Sequence, residues 1–138
     1  GHLAQDGAAG GAILRQMASA RVALEQALGM LTALDEDALC PRGRVSQRAR
    51  YLRNILDNVY GQEVQPYLAK LDRRQRHLED RLRALRAVSA GDNRVLDQWL
   101  THYFGPGGQA ARLESALRRH TERWQTVLGA CGLMPGSG

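Results

Sequence analysis

The sequence holds little lysine, little cysteine, few aromatics and no long apolar run. Lys70 is the only lysine, so arginine supplies 18 of the 19 basic residues. Joint enrichment in Arg, Ala, Gly and Leu is what a GC-rich genome produces, and it leaves phosphate binding by the guanidinium groups open. With two cysteines, Cys40 and Cys131, the chain has neither a disulfide-dense framework nor a C-x-x-C pair. Both are expected as free, buried thiols in a reducing compartment, with a single bridge as the alternative. No apolar stretch approaches the roughly 18–20 residues that span a bilayer, and no secretory leader is visible. β-branched residues are sparse and period-2 alternation is missing, which argues against a sheet.

Catalytic and metal-binding patterns are equally scarce. His77, His102 and His120 show no ligand spacing with each other or with the cysteines. There is no nucleophile elbow and no phosphate-cradling glycine loop before a Lys-Ser/Thr pair. Gly105-Pro106-Gly107-Gly108 reads as a turn. No enzymatic activity, cofactor or metal is therefore expected.

The 138 residues suit one domain, and the net charge of +5 with a pI of 9.9 points to acidic partners. Residues 1–41 carry a net −3, which leaves +8 on the remainder. Gly1 and His2 resemble a tag remnant. Residues 1–8 are read as a frayed start, 9–132 as the domain, and 133–138 as a tail leading into a longer protein.

Helical periodicity dominates. Ile13, Met17, Ala20, Leu24, Ala27, Leu31 and Leu34 keep 4-3 spacing and predict a helix over 9–35. Asp35–Asp37 would oppose the dipole at its C-terminus and so belong to a following turn, where they can cap a short extra turn. Ser46 is the expected N-cap of a helix on Val45, Ala49, Leu52, Leu56 and Val59 that ends at Gly61. Pro66 favours a break near 61–65 over one long kinked helix. Val64, Leu68, Leu71, Gln75, Leu78, Leu82 and Leu85 form the next seam, closed by Gly91. Asp92 or Asn93 then caps a short helix with Val95, Leu96, Trp99, Leu100 and Tyr103. A last helix runs over 109–131 through Leu113, Leu117, His120, Trp124, Val127 and Cys131. The expected fold is all-α: an elongated antiparallel four-helix bundle with one additional short helix.

The densest chemistry lies at Arg42, Arg44, Arg48, Arg50 and Arg53, a run without an acid and interleaved with Val45, Tyr51 and Leu52. Planar guanidinium forks match phosphate oxygens two at a time. Cations at a helix start oppose its dipole, so the cluster is poorly explained as helix stabilisation alone. The candidate lipid-binding set is these five arginines with Tyr51, Leu52, Lys70 and Arg94. The basic residues from Lys70 to Arg86 are laced with acids; Asp72–Arg76 and Glu79–Arg83 have i,i+4 spacing and read as a solvated, paired face. Trp99, Tyr103, Phe104 and Trp124 read as core.

An Arg-rich bundle with a basic-apolar tip between its first helices resembles the four-helix-bundle membrane-localisation domains of bacterial toxins and type III secretion effectors. The resemblance rests on Arg42-Gly-Arg-Val-Ser-Gln-Arg-Ala-Arg-Tyr-Leu-Arg53 set between two apolar seams. It implies secretion into a host cell and peripheral binding to anionic phospholipids, phosphoinositides especially, at the inner plasma-membrane leaflet. It also implies docking of a secretion chaperone. Family tips use two neighbouring loops, and here the second, Ala90–Arg94, offers only Arg94 beside Asp92. A nucleic-acid-binding domain is the first rival, disfavoured because no recognition helix is evident. A purely structural or protein-docking bundle is the second.

Overall fold

A computed structural model describes the backbone of residues 2–133 and side chains from Gly10 to Leu133. The chain is all-helical, with no strand among the described residues. Its elements are α1 (His2–Thr32), α2 (Glu36–Leu39), a 3-10 turn (Pro41–Gly43), α3 (Gln47–Ile55), α4 (Gln65–Val88), α5 (Arg94–Phe104) and α6 (Gln109–Ala130).

Local chemistry accounts for most of these boundaries. Asp35 starts α2, its Oδ1 accepting the N–H groups of Asp37 at 3.0 Å and Ala38 at 3.4 Å. The acids after α1 thus serve the next turn, as their conflict with the dipole requires. Ser46 accepts the Ala49 N–H at 3.1 Å and caps α3. Asn93, not Asp92, caps α5 by accepting the Leu96 N–H at 3.2 Å. Gly91 reverses the chain after α4 at φ 66°, a conformation that glycine adopts without cost.

Two boundaries differ from the sequence reading. Helix α1 begins at His2 rather than near residue 9. A glycine in a helix costs only about 1 kcal/mol against alanine, and Ala4, Ala8 and Ala9 favour continuing the helix begun by the Ile13–Leu34 seam. The break expected at 61–65 is also absent. Leu56–Val64 is a nine-residue π-type stretch, and Gln65 donates its N–H to the Tyr60 carbonyl, five residues back. Helical backbone therefore runs from Gln47 to Val88 through Pro66. The wider turn takes up the proline's missing donor without breaking the helix. Of the expected tail, only Leu133 lies among the described residues, and it is buried.

The chain divides into two compact units, Gly1–Val22 with Leu68–Ser115, and Ala23–Tyr67 with Ala116–Gly138. In the first, Met17, Leu71, Leu96, Leu100 and Leu113 are buried. Leu85, Val95 and Trp99 of the expected seams are exposed there instead, at 54%, 68% and 46%. The Asp72–Arg76 and Glu79–Arg83 pairs form at 3.0 and 2.7 Å. In the second unit, Leu31, Leu39, Ala49, Trp124, Val127 and Leu128 form the core, with Leu34, Leu52 and Leu56 packed against it.

Candidate functional site

The second unit carries the basic segment, and its anchorage begins at Cys40. Gly43 donates to the Cys40 carbonyl and Arg44 to the Pro41 carbonyl, both at 3.0 Å. This tight turn places Arg42 at φ 57°, ψ 30°, the only left-handed non-glycine residue described. An L side chain there costs about 1–2 kcal/mol. Arg42, Arg44, Arg48 and Arg50 are exposed, and none of the four pairs with an acid among the described residues. Arg53 is half-buried and lies 3.6 Å from Asp57. Tyr51 stands 66% exposed beside them. Leu52 is turned to the core, half-buried against it.

Lys70 and Arg94 belong to the other unit and are described with it. Lys70 is exposed on α4. Arg94 begins α5, where it shares a shallow depression with Asp92 and Asp97. Of these acids, Asp97 is engaged by Arg86 at 2.6 Å.

The cysteines correct an expectation. Cys40 and Cys131 are joined in a disulfide with their Cα atoms 5.4 Å apart, so they are not reduced thiols. They lie 91 positions apart in the sequence, and no spacing rule pairs cysteines so far apart. Disulfides persist in oxidising compartments, which overturns the expected placement at a reducing inner leaflet. Mechanically, the bridge fixes the residue before the basic turn to the end of α6.

Sequence reasoning missed a second constellation. On the π-type stretch Tyr60 stacks against His120 of α6 at 5.0 Å, and His120 meets Trp124 at 6.4 Å. His120 is buried and its Nδ1 has no partner. Burial pushes its imidazole below the ordinary histidine value. The Tyr60 hydroxyl is also enclosed; burial pushes its phenol up, and the Thr121 side chain partly offsets this. Beside this cluster lies a cavity of about 280 Å³ bounded by Leu56, Asp57, Tyr60, Trp124 and Leu128. The signals in the sequence were Gly61 followed by Pro66 and the placing of His120 four residues before Trp124 on one seam. No group of three or more potential metal ligands occurs among the described residues.

A family model described as a protein of unknown function (DUF3080) matches residues 3–135. The chain belongs to this family. No curated protein and no solved structure matches it.

Proposed function

We propose that this domain is a peripheral membrane-targeting module that docks on anionic phospholipids, phosphoinositides included, through Arg42, Arg44, Arg48 and Arg50. The observation that carries the reading is four exposed guanidinium groups without acidic partners among the described residues, next to an exposed Tyr51 and following Cys40, which a disulfide holds to Cys131. Near an anionic leaflet each such charge contributes on the order of 1 kcal/mol, enough together for reversible binding without insertion. Tyr51 suits the interface because its ring is apolar and its hydroxyl stays wet. Arg53 contributes less, since Asp57 already faces it.

The module is proposed to belong to a secreted bacterial effector or toxin and to dock a secretion chaperone. Its helices are proposed to form an elongated antiparallel four-helix bundle with one additional short helix. The lengths of α1, α4 and α6 and the short α2 support that arrangement.

Co-sedimentation with neutral, choline-free vesicles of digalactosyldiacylglycerol, with and without phosphoinositide, tests the docking. Binding is expected only with the anionic lipid and should weaken as salt rises, because exposed charges are screened over about 8–10 Å. The triple change Arg44→Glu, Arg48→Glu and Arg50→Glu should abolish it while leaving helicity intact. Saturable binding to duplex DNA with none to anionic vesicles would replace the membrane reading by a nucleic-acid one.

A further inference from the structure

The cavity at the π-type stretch is not used by the basic segment and has its own chemistry. Its apolar wall is Leu56 and Leu128, and its aromatic wall is Tyr60 and Trp124. The charged group on its lining is Asp57, and no basic side chain lines it. An anion is therefore disfavoured on electrostatic grounds. A positive ligand meets a carboxylate and two aromatic side chains at one site. Compact organic cations are held in this way, by ring faces together with a nearby negative charge.

Two further features fit a ligand site. The volume, about 280 Å³, accommodates a molecule of the size of choline and approaches the small end of ligand pockets. The widened backbone supplies Asp57, Tyr60 and Gly61 from a single π-type segment, and such segments recur at functional sites. Asp57 is reached by Arg53 at 3.6 Å, but both side chains are about half exposed, at 49% and 41%. At 3.6 Å the pair is longer than a hydrogen bond, which leaves the Asp57 carboxylate open to a closer cation.

We infer that the cavity between the π-type stretch and α6 binds a small quaternary or alkylated ammonium group, with Asp57 as counter-ion and Tyr60 and Trp124 as its aromatic walls. This site is independent of the anionic-lipid docking proposed above.

The test uses the disulfide-bonded chain carrying Trp99→Phe, which leaves Trp124 as the sole indole reporter. Choline chloride should change Trp124 fluorescence saturably, with sodium chloride at equal concentration as the blank. The uncharged isostere 3,3-dimethylbutan-1-ol should bind about tenfold more weakly. Asp57→Asn should erase that preference with folding intact, and Tyr60→Leu, which removes an aromatic wall, should weaken choline binding while Tyr60→Phe retains it. Arg44→Glu, Arg48→Glu and Arg50→Glu should leave choline binding unaltered, which separates this site from the membrane tip. Response to free choline alone assigns a soluble ligand, and an added response to phosphatidylcholine vesicles assigns a lipid headgroup. Equal binding of the isostere, an unchanged preference in Asp57→Asn, or no saturable response to either source would overturn the assignment.

Discussion

Arg123 of α6 forms an ion pair with Glu36 at the start of α2, and the same guanidinium closes the end of α1. Its Nε donates to the Leu31 carbonyl and its Nη2 to the Leu34 carbonyl, both at 3.0 Å, while Nη1 faces Glu36. The side chain is only 20% exposed, so these charge-assisted bonds are shielded from water. The Leu31 carbonyl also takes the Leu34 N–H at 3.2 Å, so Arg123 adds a second donor at the end of α1 and one to the carbonyl of Leu34 beyond it. Arg123→Met should cost roughly 2–3 kcal/mol in denaturant unfolding. Glu36→Gln should cost less, since both carbonyl bonds remain.

The disulfide gives a second prediction. Cys131→Ser, or reduction, should lower stability by roughly 2–5 kcal/mol, because the bridge closes a loop of about ninety residues in the unfolded chain. Thiol titration of the oxidised, denatured chain should find no free cysteine. Vesicle binding at temperatures where the reduced chain stays folded should weaken only modestly, since the arginines themselves remain.

Arg42 separates stability from binding. Glycine adopts its left-handed conformation freely, whereas alanine meets the same strain as arginine. Arg42→Gly should therefore exceed Arg42→Ala in stability by about 1 kcal/mol, measured by thermal unfolding. Both should weaken association with anionic vesicles equally. A weaker effect of one than the other would mean that turn geometry, not charge, governs docking.

His120 sets a pH dependence. Its folded-state pKa lies below the ordinary 6.5 because burial penalises the imidazolium. Below about pH 6.5 the unfolded chain takes up the proton more readily than the folded one. The stability linked to His120 is thus fully present above that pH and falls as the solution is acidified towards the folded value. Chemical unfolding at pH 8, 6.5 and 5 should show this decline, and His120→Phe should flatten it.

Much of the architecture is local and was legible from the sequence. The 4-3 spacing of Met17, Leu24 and Leu31 fixes which face of α1 is buried. Ser46 and the acids after α1 announce helix starts through their own hydrogen bonds. The Arg42–Arg53 cluster is likewise visible, since charge density needs no fold to be counted. What lay beyond the sequence depends on partners distant in the chain. Whether Pro66 breaks or only widens a helix depends on the balance between one lost hydrogen bond and the packing of both flanking segments. The pairing of Cys40 with Cys131, the reach of Arg123 to Leu31 and Leu34, and the enclosure of Asp57 with Trp124 each join α6 to residues more than sixty positions away. Periodicity records which side of a helix avoids water, but not which helix covers it, and that choice decides the disulfide, the arginine clamp and the cavity.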